Sequence, residues 1–242
     1  VAEYWRARAY FSGFTGSAGV LVVGLDGAYL WVDGRYHIQA EKETQNTGIT
    51  LYKMGLPGVP GLEEWLAEHA VQETVVGCDG RMVSAQLGKQ WKAYMPKAEF
   101  VCSQDLAEKV WKDRPALPKD PVFELSEKYT GESRSARLAR VRKHMAAENA
   151  EYLVLASLDD IAWILNVRVS DIPHVPVILS YLVIGSERVL WFVDESCLDE
   201  TIKSRMAACG VETQPYDEIY AWASGVAGGT SILLDRGTVN YR

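Results

Sequence analysis

Hydrophobic and polar positions alternate in short runs along this chain, and one such pattern occurs twice. Residues 20–33 read VLVVGLDGAYLWVD, residues 181–194 read YLVIGSERVLWFVD, and the two segments align without a gap. In each segment, two runs rich in β-branched and aromatic residues flank a break of turn-forming residues. Each segment therefore predicts a β-hairpin.

The elements predicted after the two hairpins follow the same order. The paired segments are a helix (36–43 and 198–208), a strand (48–52 and 210–213), a second helix (62–70 and 218–226) and a strand ending in aspartate (74–79 and 231–235). Self-similarity of this length indicates a duplicated structural unit. The predicted fold class is α/β, with two tandem similar domains.

A proline-rich segment lies between the two copies. Residues 114–121 read RPALPKDP. Proline at this density stops helices and weakens strand pairing, so the segment predicts a semi-rigid linker. We assign the first domain to residues 1–118 and the second to residues 119–242.

The two copies differ at their outer ends. Before its hairpin the second copy carries a predicted helix (133–148), a strand (152–155) and another helix (159–165), and only this last helix has a counterpart in the first copy. Residues 238–242 fall where the first copy continues into a predicted helix. We therefore expect the first domain to lack its first elements and the second to be cut short at its end.

Composition and charge narrow the class of protein. Hydrophobic residues make up 48% and charged residues 24%, the balance of a folded globular protein. A net charge of -7 without a basic cluster argues against nucleic acid as a partner. No apolar run approaches the roughly 20 residues of a membrane-spanning helix, so no membrane is expected. The 4 cysteines form no CxxC motif and predict reduced structural thiols, with disulfides or metal ligation as alternatives.

The common catalytic and metal-binding motifs do not occur in this sequence. HExxH, GxSxG and Walker-type motifs are missing, and the histidines have no spacing that favours a shared metal. The glycine-rich residues 11–19 precede a strand and not a helix, so they predict a tight loop more than a phosphate site. Asp33 ends a predicted strand just before a helix, where we expect it to cap that helix.

Residues 166–176 are the best functional candidate. They lengthen the second copy relative to the first, contain prolines and carry Arg168, Asp171 and His174. Polar loops on a rigid scaffold commonly carry binding groups. An arginine can hold a carboxylate or carbonyl, and a histidine can donate to one. Arg168 and His174 are therefore candidate substrate-binding residues, and the alternative is a solvated loop with an ion pair between Arg168 and Asp171.

Several motifs together resemble the long, three-domain Xaa-Pro aminopeptidases of the creatinase and prolidase superfamily. In family order they are residues 11–19 (FSGFTGSAG), 31–40 (WVDGRYHIQA), 54–56 (MGL), 110–115 (VWKDRP), 158–171 (LDDIAWILNVRVSD) and 180–181 (SY). The resemblance implies two creatinase N-terminal-like domains, each a mixed β-sheet flanked by helices. It also implies that these domains shape substrate access and support dimerisation.

The family's chemistry resides in a further, C-terminal domain. There, two aspartates, a histidine and two glutamates hold two divalent metal ions, usually manganese, and a metal-bound hydroxide attacks the bond before proline. None of these ligands has a counterpart here, so we expect neither a catalytic residue nor a metal ligand in this chain. The resemblance implies a cytoplasmic, homodimeric metallopeptidase that acts on peptides with proline at the second position.

Two other functions stay open from the sequence. A prolidase or creatinase-type hydrolase generally carries one N-terminal domain, and the duplication argues against it. A relative that has lost its metal ligands and binds peptides or proteins is the other alternative. The downstream sequence would distinguish these possibilities.

Overall fold

A computed structural model describes residues 1–242, and the chain divides into two compact units. The first comprises Val1–Met82 and Leu87–Ala116, and the second comprises Val83–Gln86 and Leu117–Arg242. Each unit contains a mixed β-sheet with flanking helices, which confirms the predicted α/β class. The domain limits at residues 118 and 119 stay a prediction. No helix is both long and apolar enough to cross a lipid bilayer.

The elements up to residue 101 build a three-stranded sheet and a separate two-stranded sheet. They are α1 (Ala7–Ser12), β1 (Val20–Val23), β2 (Ala28–Val32), α2 (His37–Glu43), β3 (Ile49–Lys53), α3 (Leu62–His69), β4 (Val75–Gly77), α4 (Ala85–Tyr94) and β5 (Glu99–Val101). The larger sheet has the order β1-β2-β3, with β1 antiparallel and β3 parallel to β2. Strands β4 and β5 pair only with each other, in parallel.

The elements from residue 123 onward build a five-stranded sheet and a short two-stranded one. They are β6 (Phe123–Glu124), α5 (Glu127–Thr130), α6 (Arg134–Ala147), β7 (Tyr152–Leu155), α7 (Leu158–Leu165), β8 (Val167–Arg168), β9 (Ser180–Gly185), β10 (Val189–Val193), α8 (Glu200–Ala207), β11 (Val211–Gln214), α9 (Glu218–Gly225) and β12 (Ile232–Leu234). The large sheet has the order β11-β10-β9-β7-β12, and β6 pairs with β8.

The two hairpins have the same register. Val20 lies opposite Trp31 in the first hairpin, and Tyr181 lies opposite Phe192 at the aligned positions of the second. A backbone hydrogen bond of 2.8 Å closes each turn, from Gly24 to Gly27 and from Gly185 to the aligned Arg188. Each hairpin then receives a parallel strand, β3 or β11, on its second strand. The duplication read from the sequence is therefore confirmed down to the strand register.

Side chains of β9 and β10 alternate between two apolar faces of the large sheet. On one face, Leu182 and Trp191 are fully buried in a cluster with residues of α6, α7 and α8. On the other face, Val183 and Phe192 pack with Ile219 of α9. A strand alternates its side chains with a period of two, so an apolar sequence on both phases requires cover on both faces. Helix α7 therefore packs on the first of these faces.

The glycine-rich loop is tight, as predicted. A Cβ atom on Gly16 would clash with the ring of Phe14, and one on Gly19 would lie 2.8 Å from the carbonyl oxygen of Trp31. Only glycine allows such close approach without a shift of the neighbours. The guanidinium of Arg8 donates to the carbonyls of both glycines. The loop thus packs on the hairpin and on α1.

The predicted capping role of Asp33 is wrong. Its Oδ1 accepts a 3.0 Å hydrogen bond from the backbone nitrogen of Arg35, two residues on, and α2 begins only at His37. A cap must lie directly before the helix to reach its free N–H groups. Asp194, at the aligned position, also accepts a 3.0 Å bond from two residues on, at Ser196. Both aspartates close the turn that follows the hairpin, and Asp194 in addition caps the short 3-10 helix Glu195–Cys197.

Candidate functional site at residues 166–176

Helix α7 positions the start of the candidate segment. Its N-cap is Ser157, whose side chain accepts from the backbone nitrogen of Asp160. The acidic residues in its first turn interact favourably with the positive end of the helix dipole. Ile161 and Leu165 are fully buried against the sheet. The helix ends at Leu165, and its C-cap Asn166 adopts the left-handed conformation (φ 55°, ψ 39°) that turns the chain into the segment.

Three arginines bind the last carbonyl groups of α7. Arg134 Nε donates to the carbonyl of Leu165 at 2.8 Å, and Arg137 donates to the carbonyl of Trp163. Arg168 Nη1 donates to the carbonyl of Ala162 at 2.7 Å. The final carbonyls of a helix have no partner within it, and cations are favourable at this end. The base of the segment is therefore held by charge-assisted hydrogen bonds.

Arg168, the first candidate residue, has a structural role as well as free donor capacity. It lies in β8 opposite Phe123 of β6 and is half-buried. Its Nη1 also donates to the carbonyl of Val167 at 2.7 Å. Both bonds use Nη1, so Nε and Nη2 keep their capacity to bind a further acceptor. The arginine is thus oriented by its own domain while part of its guanidinium stays available.

The ion pair between Arg168 and Asp171, the alternative interpretation of this segment, does not form. Asp171 Oδ1 instead accepts a 3.1 Å hydrogen bond from the backbone nitrogen of Asp120. Burial raises the pKa of Asp171, and the bond from Asp120 opposes that effect. Arg168 instead binds the carbonyls of Ala162 in α7 and Val167 in β8. Asp171 therefore anchors the middle of the segment to the proline-rich linker.

His174, the second candidate residue, lies at the tip of a tight turn. The backbone nitrogen of Val175 donates to the carbonyl of Ile172 at 3.0 Å, which closes a four-residue turn. Pro173 occupies its second position, and His174 has φ 65° at its third. This combination is typical of a type II turn, where glycine or asparagine is preferred. The turn presents the exposed imidazole away from the domain core.

Buried arginines in α6 are structural determinants that the sequence interpretation missed. Arg137 is only 1% exposed, and its guanidinium carbon lies 4.5 Å from the ring centre of Trp163. Arg134 pairs with Glu124, which also binds Arg205 at 2.7 Å. The available signal was their position: both share the helix face of Leu138, where an amphipathic helix carries apolar residues.

The side chains around the segment do not form a metal centre. In the structure, no group of three or more histidine, cysteine, aspartate or glutamate side chains is placed to hold a metal ion. The chemistry within reach is recognition: a guanidinium that can bind a carboxylate or carbonyl, and an imidazole that can donate or accept. Arg168 and His174 lie on the same segment, and each is held by local backbone geometry.

Comparison with known proteins places both units in one family. Residues 6–110 and residues 113–242 each match the creatinase/prolidase N-terminal domain. Aminopeptidase P2 of Arabidopsis thaliana is 37% identical over 99% of this chain, and Xaa-Pro aminopeptidase 1 of Dictyostelium discoideum is 37% identical over 90%. The chain spans only 34% and 36% of those two proteins.

A solved structure extends the similarity to three dimensions. The crystal structure of X-prolyl aminopeptidase from Caenorhabditis elegans matches 93% of this chain with a TM-score of 0.88 and 30% identity. The match covers 37% of the nematode protein, which is described as a cytosolic enzyme with a di-nuclear active site. The sequence and structure comparisons therefore both find aminopeptidases, and in both the chain matches about a third of the relative's length.

Proposed function

Because this chain belongs to the creatinase/prolidase N-terminal domain family, with two such domains in tandem, we propose that it is the non-catalytic front region of a metal-dependent Xaa-Pro aminopeptidase. One observation carries the proposal: nearly the whole chain aligns at 37% identity with aminopeptidases of which it covers about a third. The parent enzyme removes the N-terminal residue that precedes a proline. We also propose residues 1–118 and 119–242 as the domain limits.

This region shapes access to the active site and supports formation of a homodimer. Residues 166–176 face the substrate, with Arg168 and His174 as its contacts. Three features support this assignment: the segment is anchored at its base by arginines, Arg168 keeps unused donors, and His174 is exposed at a turn tip. A pre-organised site loses less conformational entropy when a peptide binds.

The catalytic metals belong to the part of the enzyme outside this region. Two divalent ions, which we propose to be manganese, would supply a nucleophilic hydroxide and stabilise negative charge on the substrate carbonyl. The di-nuclear active site of the nematode relative supports the number of ions, and its cytosolic description supports a cytoplasmic location. The side chains of this chain do not fit such a centre. We therefore assign no step of the hydrolysis to them.

Hydrolysis by the full-length parent tests the proposed activity. We expect release of the N-terminal residue from peptides of three or more residues with proline at position two. Activity should disappear with a chelator and return with manganese, and matched peptides with alanine at position two should be poor substrates. Cleavage restricted to dipeptides would identify a prolidase instead. Peptide binding without any cleavage would identify a metal-free binding module.

Substitution of Arg168 in the parent tests the assigned substrate contact. Arg168→Ala should raise KM about 10-fold, the loss of one charge-assisted hydrogen bond worth about 1.4 kcal/mol. Arg140→Ala is the matched control, because Arg140 is also on this domain but is half exposed in an ion pair with Glu132. The melting temperature of each variant separates lost binding from lost folding. Unchanged kcat and KM in a folded Arg168→Ala variant would contradict the assignment.

A further inference from the structure

Cys78 and Cys102 lie side by side at the ends of the paired strands β4 and β5. Gly77 lies opposite Val101 in the ladder, so the two cysteines are the next pair along. Backbone bonds of 2.9 Å continue the pairing on both sides, from Cys78 to the carbonyl of Val101 and from Gly80 to the carbonyl of Cys102. The two Sγ atoms are 3.2 Å apart. Both residues are half-buried free thiols.

This arrangement satisfies the geometric requirement for a disulfide without a change of fold. Adjacent strands lie about 4.8 Å apart, within the range of about 4.4–6.8 Å that separates the Cα atoms of bonded cysteines. Residues that lie side by side on two paired strands point to the same face of the sheet. The short distance between the two Sγ atoms agrees with this. Cys197 and Cys209, in contrast, have no cysteine partner.

We propose that Cys78 and Cys102 are a redox-modification site, which low-molecular-weight disulfides such as oxidised glutathione convert reversibly into an intrachain disulfide. One cysteine, as thiolate, attacks a sulfur of the glutathione disulfide, forms a mixed disulfide and releases one glutathione thiol. The second cysteine attacks the protein sulfur of that mixed disulfide and releases the second glutathione. The two cysteines together lose two protons and two electrons, and one glutathione disulfide gains them to become two glutathione thiols.

The rate of this reaction is limited by the thiols themselves. Burial raises the pKa of Cys78 and of Cys102, so little thiolate is present at neutral pH. Because the thiolate is the attacking species, this pair reacts slowly with glutathione disulfide. The proximity of the second sulfur favours closure once a mixed disulfide exists. The site therefore responds to sustained oxidation and not to brief exposure.

The cross-link would join two strand ends that carry a half-buried charge network. Asp79 follows Cys78, and its carboxylate binds Arg81 at 2.8 Å. Arg81 also binds Asp105 at 2.8 Å, and Asp105 binds Arg114 at 2.6 Å. A two-stranded sheet is marginally stable alone. A bond between residues 24 positions apart restricts the unfolded chain and keeps these strand ends together.

Oxidation of this chain with defined ratios of oxidised to reduced glutathione tests the proposal. We expect a product lighter by two hydrogen atoms, with peptide mapping that joins Cys78 to Cys102. The melting temperature should rise by roughly 5–10 °C and return to its original value with dithiothreitol. Cys102→Ser should take up one glutathione at most, and Cys209→Ser, the matched control, should form the link normally.

The comparison of oxidised and reduced wild-type chain keeps the test decisive even if a serine variant fails to fold. Three results would overturn the proposal. The first is separate glutathionylation of both cysteines without a link. The second is a link that forms only in denaturant. The third is a link that lowers the melting temperature, because the native geometry would then oppose it.

Discussion

At the scale of single residues, two buried arginines of α6, Arg134 and Arg137, bind the end of α7. Arg137 is 1% exposed and donates to the carbonyls of Trp163 and Thr130. Burial lowers its pKa, and the nearby Glu132 opposes that effect. Removing this guanidinium leaves the carbonyl of Thr130 without its donor, while that of Trp163 keeps a 3.2 Å bond from the backbone nitrogen of Asn166. An unsatisfied acceptor beside a buried aromatic ring costs more than the loss of an exposed ion pair.

Arg137→Ala should therefore lower the free energy of unfolding by about 3 kcal/mol. The reason is the combination of an unsatisfied carbonyl at Thr130 and a cavity beside Trp163. Chemical denaturation followed by fluorescence measures the change. Arg140→Ala, three residues on along the same helix, should change the free energy of unfolding by less than about 0.5 kcal/mol, because Arg140 is half exposed. Equal effects for both variants would contradict the assigned role of Arg137.

His174 gives a second prediction at this scale, because its backbone conformation and its imidazole can be separated. Glycine adopts φ 65° without a Cβ penalty. His174→Gly should leave the free energy of unfolding of the chain unchanged or raise it by up to about 1 kcal/mol. His174→Val should lower it by about 1–2 kcal/mol, because a β-branched residue is strained there. If both variants were equally destabilised, the imidazole and not the turn would hold the segment.

At the scale of elements, Glu124 connects β6 with two helices. It pairs with Arg134 of α6 and with Arg205 of α8. Burial would raise the pKa of Glu124, but hydrogen bonds and charge from the two arginines outweigh it and lower the pKa below its ordinary value of 4.5. A lowered pKa means that the folded state favours the carboxylate. The resulting stability is complete above about pH 4.5 and is lost as the pH falls through the folded-state pKa.

Glu124→Gln should thus lower the free energy of unfolding at pH 7 and weaken its dependence on pH below about 4.5. Denaturation curves from pH 7 down to about pH 3 measure both effects. Glu127→Gln is a suitable control, because Glu127 is exposed on the neighbouring α5. The control should follow the unmodified chain over the whole range. A Glu124→Gln variant with the same acid dependence as the unmodified chain would contradict the coupling.

Elements with a strong pattern could be predicted from the sequence, whereas those made by tertiary contacts could not. The predicted strand 152–155 and the helices around 133–148 and 159–165 agree with β7, α6 and α7 to within a residue or two. The strands β6 and β8 have only two residues each, too few for any periodic signal. Likewise, the meeting of Arg134, Arg137 and Arg168 at one helix end depends on three separate elements.

At the scale of the whole chain, the repeat predicts shared elements but not shared sheet membership. Strand β12 joins the five-stranded sheet beside β7, while its counterpart β4 pairs with β5 in a separate sheet. Both strands have three residues, with an aspartate one or two residues after their end, so their sequences do not reveal their neighbours. The hairpin register follows from the apolar pattern, because a shift of one residue would turn every buried side chain outward.

The distribution of ligating side chains predicts what this chain does alone. No three of them converge in the structure, whereas a catalytic metal is commonly held by about three protein ligands. We expect titration calorimetry with manganese to show no stoichiometric binding, and Xaa-Pro peptides to stay intact after long incubation with the purified chain. The full-length parent, assayed in parallel, serves as the positive control. Stoichiometric metal binding by the chain, or release of an N-terminal residue in proportion to its concentration, would place catalytic groups within these 242 residues and refute its assignment as a non-catalytic region.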